Sequence, residues 1–141
     1  MSIGVAIGSF VKQHRLGKTY ATGTGFVIRT PEGESVLAPD VAFIRKERLP
    51  EEEPPKGFSR VVPDLVVEVV SPDDSYNKVR AKVREWLAGG VQIVWVVDLE
   101  RRVVEVWQPP DTLAQVLTET DTLHGDPVLT GLELTVREVF E

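Results

Sequence analysis

The sequence predicts an α/β (α+β) fold in which helices pack on a mixed β-sheet. An amphipathic helical segment lies between two strongly apolar segments, which indicates a β-α-β crossover and at least one parallel pair of strands. Short apolar segments joined by turns lie on both sides of that unit and indicate antiparallel hairpins. The 141 residues suffice for one core, so residues 1–141 are predicted to form a single domain.

The first part of the chain predicts a helix followed by short strands. Ser2 is a candidate helix cap, and apolar residues recur at helical spacing until Gly17, a plausible stop. The next segments are three β-like pieces and one turn, namely KTYAT (18–22), GFVIRT (25–30), the turn TPEGES (30–35) and APDVAFIRK (38–46). The proline-rich, acidic stretch 47–60 is predicted to be an exposed loop, long enough to be mobile or functional.

The second part of the chain contains the predicted crossover. A run of Val and Leu bounded by prolines, PDLVVEVV (63–70), predicts a strand buried on both faces. SPDDS supplies helix-capping residues, and the helix is predicted from about Asp74 to Leu87, before a glycine pair. The remaining apolar segments are predicted strands at 91–99 and 102–108, a further alternation at 112–120 and a final segment at 132–140.

Composition excludes several classes of protein. The chain lacks cysteine, which removes disulfide scaffolds, thiol catalysis and the usual structural zinc sites, and which fits a cytoplasmic protein. It shows neither a transmembrane segment nor a signal peptide, so no membrane association is expected. The net charge of −6 argues against a strongly DNA-coating protein. Residues 1–48 are locally basic, however, with seven Lys or Arg against four acids.

One carboxylate interrupts the most apolar strand. Glu68 lies in the middle of a Val-rich run, where an unpaired charge would cost several kcal/mol or become protonated. Asp64 shares its face of the strand but lies roughly 13 Å away, too far for a common metal ion. Asp40 follows another Pro in a second predicted strand, and adjacent strands are only ~4.8 Å apart. If the two strands pair, Asp40 and Glu68 can hold one Mg²⁺.

The helix after the Glu68 strand adds a cation. Lys82 borders the predicted apolar stripe and could reach Glu68, but Arg80 borders the same stripe on its other side. Each of these features also has an ordinary structural interpretation. A Pro-Asp pair usually opens a strand, a lone Glu often pairs with a surface cation, and a helical Lys is usually solvated. His14 and His124 form no ligand pair, and the tryptophans are predicted to lie in the core.

Taken together, these motifs resemble a known family. In order and spacing, APDVAFI, PDLVVEVVSP, a Lys on the following helix and GGVQIVWVVDLERRVVEVW are similar to the Uma2 family (also called DUF820). That family belongs to the PD-(D/E)XK restriction-endonuclease-like superfamily, and the resemblance covers the chain from about Phe10. It implies a restriction-endonuclease-like mixed β-sheet flanked by helices, with a metal site where strands splay.

The resemblance also implies roles for individual residues. Asp40 and Glu68 would be the metal-binding acids, and Val69 would offer its backbone carbonyl to Mg²⁺ (or Mn²⁺). The superfamily lysine would stand at position 70, which is Val here, and Lys82 on the helix is the matching cation. The implied activity is metal-dependent hydrolysis of phosphodiester bonds by an endonuclease, with nucleic acid, DNA first, as the substrate.

Two departures from the family pattern leave an alternative open. Relatives usually begin with an additional acidic N-terminal stretch, and they often carry an acid near position 78, where this chain has Lys78. A short N-terminus is expected to leave a sheet edge or apolar surface uncovered, which predicts a homodimer. The alternative is a non-catalytic Uma2-like remnant that acts as a binding or oligomerisation module.

Overall fold

The computed structural model describes residues 2–52 and 58–141. This part of the chain contains three α-helices, eleven β-strands and a short 3-10 helix, Lys46–Arg48. The elements, in chain order, are α1 (Ile3–His14), β1 (Gly17–Ala21), β2 (Gly25–Thr30), β3 (Gly33–Leu37), β4 (Val41–Arg45), β5 (Phe58–Ser59), β6 (Leu65–Val70), α2 (Tyr76–Ala88), β7 (Ile93–Asp98), β8 (Val103–Gln108), β9 (Thr112–Leu117), β10 (Thr122–His124), β11 (Glu133–Thr135) and α3 (Val136–Val139). None of the helices in these ranges combines the length and apolar character needed to cross a bilayer.

The main sheet has six strands in the order β1-β4-β6-β7-β8-β9. Strands β6 and β7 run parallel, with Leu65 beside Ile93, and α2 connects them. The other neighbouring strands of this sheet are antiparallel. The predicted β-α-β crossover and the mixed sheet are therefore confirmed.

The core lies on both faces of this sheet. Val67 of β6 packs in a cluster with Ile7 of α1 and Trp95 of β7, whereas Val66 packs on the other face with Trp86 of α2. All five side chains are fully buried. Because side chains alternate along a strand, covering both faces requires a nearly continuous apolar run in β6. The predicted two-sided burial of this strand is correct.

The turn predicted at 30–35 is wrong in its extent. Only Pro31 and Glu32 form the turn, and residues 33–37 continue as β3, antiparallel to β2. This strand is half exposed and begins with Gly33 and Glu34, so its composition is that of a loop although its backbone pairs with β2. The hairpin packs beside α2, where the Ser35 hydroxyl donates to Glu85 Oε2 at 2.8 Å.

The loop predicted at 47–60 falls partly on residues 53–57, which lie outside the described residues. On either side of them are the 3-10 helix and the short strand β5, which pairs in parallel with β2. The predicted strand at 112–120 is shorter, as β9, and the final segment divides into β11 and α3.

Helix α2 is fixed at both ends. Ser75 caps it by accepting a hydrogen bond from the Lys78 N–H at 3.4 Å. At the other end, a Cβ on Gly89 would lie 2.3 Å from the Ile28 side chain, so only glycine permits this approach of helix and β2. Gly90 follows with φ +111°, a left-handed conformation that glycine adopts readily. The predicted glycine stop is therefore present, and α2 ends at Ala88, one residue beyond its predicted end at Leu87.

Candidate active site

Asp40, immediately before β4, lies opposite Glu68 of the neighbouring strand β6. The β4–β6 register pairs Val41 with Val67, and one further step brings Asp40 opposite Glu68. The Asp40 N–H donates to the Val67 carbonyl at 3.1 Å, and Asp40 Oδ2 accepts the Val69 N–H at 2.7 Å. Both carboxylates line the same cleft on the α2 side of the sheet. The strand pairing on which a shared cation would depend is therefore present.

Glu68 is buried but is not without partners. Its residue surface is 4% exposed. The Trp86 indole N–H donates to Oε2 at 2.8 Å, and Lys82 Nζ lies 3.2 Å from Oε1. Burial raises the pKa of the Glu68 carboxyl, and the nearby Asp40 charge raises it further, whereas Lys82 and the Trp86 hydrogen bond act to lower it. Desolvation has the largest effect, so the net pKa shift is upward.

Lys82 reaches the Glu68 carboxylate from the middle of α2. The side chain is 30% exposed, and its Nζ donates to the Ala38 carbonyl at 2.6 Å as well as contacting Glu68. The other candidate cation, Arg80, points elsewhere. Its guanidinium stacks 3.7 Å from the Trp107 ring centroid and pairs with Asp111 at 2.6 Å. The ambiguity between the two cations is resolved, since it is Lys82 that contacts Glu68.

The cleft has a volume of about 260 Å³. Its lining residues are Asp40, Glu68, Val69, Asp74, Lys78, Val79 and Lys82. Two of these, Asp74 and Lys78, were not predicted as site residues. Asp74 accepts from both the N–H and the hydroxyl of Ser71, and these hydrogen bonds lower the pKa of its carboxyl. Lys78 precedes Lys82 by one helical turn, and this i, i+4 spacing was the available sequence signal.

A larger cleft, of about 580 Å³, lies between the β2–β3 hairpin and α2. Its lining includes Glu32, Glu34, Arg84 and Glu85, all on the surface or at its edge. It lacks a buried carboxylate, in contrast to the smaller cleft. Chemistry rather than size therefore identifies the smaller cleft as the candidate active site.

The donor set of the cleft suits a hard divalent cation. Asp40 and Glu68 supply carboxylate oxygens, the kind of ligand that Mg²⁺ prefers together with several waters. The Val67 carbonyl points toward β4 and accepts a hydrogen bond from the Asp40 N–H. The Val70 carbonyl points toward β7 and accepts one from the Leu99 N–H. Since carbonyl directions alternate along a strand, the Val69 carbonyl points toward the Asp40 side. Among residues 2–52 and 58–141, however, no group of three or more His, Cys, Asp or Glu side chains is placed to hold a metal.

Other titratable residues singled out in the sequence lie outside the cleft. Asp64 is buried at the far end of β6, where it accepts from Arg48 at 2.8 Å and from the Arg45 N–H at 2.8 Å. His14 Nδ1 lies 3.1 Å from the Phe10 carbonyl, and His124 Nδ1 lies 3.7 Å from Glu133. Both histidines are exposed, in agreement with a structural or surface role.

Sequence reasoning missed two polar contacts in the core. Trp86 was predicted only as a core residue, although it also donates a hydrogen bond to Glu68. Glu105 is a second buried glutamate, 3% exposed, which accepts from Tyr76 at 2.9 Å and from the Trp107 indole at 2.9 Å. It shares the pattern of Glu68, since VVEVW repeats VVEVV. Through Val96, the register aligns Glu105 with Glu68 on one face of the sheet.

Comparison with known proteins agrees with this architecture. The model of the Uma2 family, described as "Putative restriction endonuclease", matches residues 2–137. A solved structure of a "putative nuclease belonging to DUF820" from Anabaena variabilis is similar over 97% of this chain and 75% of its own chain, with a TM-score of 0.79 and 26% identity. No curated protein matches the chain. On the strength of its family match and its fold, the chain belongs to the Uma2 family.

Proposed function

We propose that this chain is a metal-dependent endonuclease that hydrolyses phosphodiester bonds in DNA. The observation that carries the proposal is the meeting of three groups in one cleft. Asp40 comes from the start of β4, Glu68 from the centre of β6 and Lys82 from α2. Membership of a family described as "Putative restriction endonuclease" supports the same reaction class.

Asp40, Glu68 and the Val69 backbone carbonyl would hold one Mg²⁺ or Mn²⁺. When bound, the cation would supply Lewis-acid polarisation of the phosphate and a more acidic water. Holding both acids on neighbouring strands fixes their separation without a flexible loop. The hydrogen bond from the Val69 N–H to Asp40 Oδ2 also fixes the orientation of the Asp40 carboxylate, because it restricts rotation about the Cβ–Cγ bond.

Lys82 would be the electrophilic group of the site. Its ammonium donates to the Ala38 carbonyl and to Glu68, which holds it over the cleft, and its third N–H can turn toward a phosphoryl oxygen or an attacking water. A donor directed to a site of developing negative charge accelerates the reaction because it needs little reorganisation. Lys78, one helical turn earlier on the cleft wall, adds positive charge where a substrate phosphate would enter.

One observation favours the alternative, a non-catalytic remnant. Lys82 Nζ lies within 3.2 Å of both carboxylate oxygens of Glu68. The positive charge of Lys82 therefore balances the negative charge of Glu68, and no metal ion is needed to neutralise it. In the remnant, Glu68 and Lys82 would serve as a buried ion pair, and the fold would serve binding or assembly.

A homodimer is the assembly we propose. Strand β9 forms one edge of the main sheet, and its residues 112–117 include no charged side chain. Leu113 and Val116 on this edge are 41% and 44% exposed. Natural edge strands are commonly protected by charges, and an edge without them can pair with a second copy.

The expected cytoplasmic location stays a prediction.

The decisive experiment measures cleavage of duplex and single-stranded DNA with Mg²⁺, with Mn²⁺ and with EDTA. The active-site variant is Glu68→Gln, and the matched control is Glu105→Gln. Both glutamates are buried in Val-rich strands on one sheet face, and each accepts from an indole N–H. Metal-dependent cleavage that is lost in Glu68→Gln but kept in Glu105→Gln supports the nuclease. Wild-type protein that cleaves no nucleic acid with either cation leaves the remnant in its place.

A further inference from the structure

The three tryptophans differ in what their indole N–H groups contact. Trp86 donates to Glu68 Oε2 at 2.8 Å, and Trp107 donates to Glu105 Oε1 at 2.9 Å. Trp95 is fully buried like Trp86, yet its Nε1 has no hydrogen-bond partner in the described part of the chain. The hydrogen bond from a buried indole N–H to a glutamate is therefore specific to Trp86 and Trp107, and the tryptophans of this core do not all make one.

Trp86 is held more rigidly than the other partner of Glu68. Its ring is fully buried and packs edge-on against Phe26, with centroids 6.2 Å apart. The Lys82 side chain is 30% exposed and has a long flexible stem. The two donors are four residues apart on α2, so both approach Glu68 from the same side of the helix. If Lys82 turns to a substrate, the indole still holds the carboxylate.

We propose that Trp86 is a positioning residue that fixes the Glu68 carboxylate for metal binding. Its indole N–H donates to Oε2, which fixes the rotation of the Glu68 carboxylate and leaves Oε1 directed into the cleft. Groups of this kind, which orient a ligand without touching the metal, commonly change metal affinity by about 10–100-fold when removed. The inference rests on the proposed function, because it assigns Glu68 as a cation ligand.

The first test measures Mn²⁺ and Mg²⁺ binding by isothermal titration calorimetry on the full chain. Trp86→Phe keeps an aromatic ring and removes the donor, and Trp95→Phe makes the same change where the N–H has no partner. We expect the dissociation constant to rise about 10–100-fold in Trp86→Phe and to stay at the wild-type value in Trp95→Phe. Equal affinities in the two variants would overturn the positioning role.

A second test uses the metal-free protein and remains decisive if Trp86→Phe does not fold. In ¹H–¹⁵N spectra, the Trp86 indole resonance is assigned by elimination with Trp95→Phe and Trp107→Phe. In Glu68→Gln the acceptor is neutral, so this resonance should move upfield while that of Trp95 stays in place. An unmoved Trp86 resonance overturns the proposal whether or not the protein binds metal. If the resonance moves in Glu68→Gln but the wild-type protein binds neither cation, Trp86 orients Glu68 without serving a metal site, and the proposed function is overturned.

Discussion

Lys82 Nζ lies almost equally far from the two carboxylate oxygens of Glu68, 3.2 Å from Oε1 and 3.1 Å from Oε2. The ammonium therefore sits across the carboxylate rather than on one of its oxygens. A divalent cation binding to Glu68 would compete with it, and the same lysine would then be available to a substrate. Lys82 would therefore contact Glu68 in the metal-free cleft and the substrate in the metal-bound cleft.

Lys82→Ala is expected to lower metal-dependent cleavage by about 10²–10³-fold, because a donor to developing negative charge is lost. The free energy of unfolding should also fall, since Glu68 loses its cation, but by less than for a fully buried pair, because Lys82 is partly exposed. The measurements are cleavage rate and urea unfolding. Arg84→Ala, which removes an exposed arginine of the same helix, is the control. An equal rate loss in that variant would exclude a special role for Lys82.

Asp40→Asn and Asp40→Ala should lose activity equally but differ in stability. Asparagine keeps an oxygen that can accept the Val69 N–H, whereas alanine leaves this N–H without its partner. An unsatisfied buried donor costs about 1–3 kcal/mol. Chemical denaturation is expected to separate the two variants by roughly this amount, while the nuclease assay finds both inactive. Comparable activity in Asp40→Asn and wild type would remove Asp40 from the metal site.

Stability should depend on pH through Glu68. Its folded pKa is raised above the usual value of 4.5, so between the unfolded and folded pKa values the native state binds more protons. The free energy of unfolding therefore falls as pH rises through that interval. Glu68→Gln lacks this group, so its stability relative to wild type should increase from acid to neutral pH. Urea titrations at several pH values measure the difference. A difference that does not vary with pH would contradict the raised pKa.

Mg²⁺ or Mn²⁺ should raise the melting temperature of the wild type. A ligand present at one hundred times its dissociation constant stabilises the native state by about 2.7 kcal/mol. Differential scanning fluorimetry with increasing MnCl₂ tests this. Glu68→Gln should lose the stabilisation and Glu105→Gln should keep it, since Glu105 lies outside the cleft. A shift of equal size in all three proteins would indicate cation binding elsewhere.

Val116→Lys should convert the proposed homodimer into a monomer. Val116 lies on the uncharged edge strand β9 and is 44% exposed, so lysine there fits a free edge but opposes pairing with a second copy. Light scattering at micromolar concentration reports the molecular mass. The exposed Val5 of α1, changed to Lys, is the control for added charge. A monomeric wild type would contradict the dimer.

The central unit of the fold could be predicted because local and tertiary requirements coincide there. Strand β6 needs apolar residues on both faces, as Val66 and Val67 show, and α2 needs a cap and a glycine stop. Each requirement leaves a pattern in a short window of sequence. The closeness of Asp40 and Glu68 could be predicted in the same way, because it depends on whether the two segments that carry them pair side by side.

The remaining features depend on contacts that a local pattern does not encode. Strand β3 is half exposed and begins with Gly33, so its residues are those of a turn, and pairing with β2 makes it a strand. The hydrogen bond between Trp86 and Glu68 depends on the height and rotation of α2 over the sheet. An apolar stripe predicts that the Trp86 ring is buried, but it does not specify where the indole nitrogen points.

The packing of the β2–β3 hairpin against α2 has a consequence for how this family could vary in rate. Ser35 bonds to Glu85 at 2.8 Å, and Gly89 allows Ile28 to lie against the end of the helix. Both contacts fix the height of α2, which carries Lys82 and Trp86. An altered hairpin would move the ammonium relative to Asp40 and Glu68. If the proposed nuclease activity holds, two family members with identical cleft residues but different hairpins would cleave at different rates.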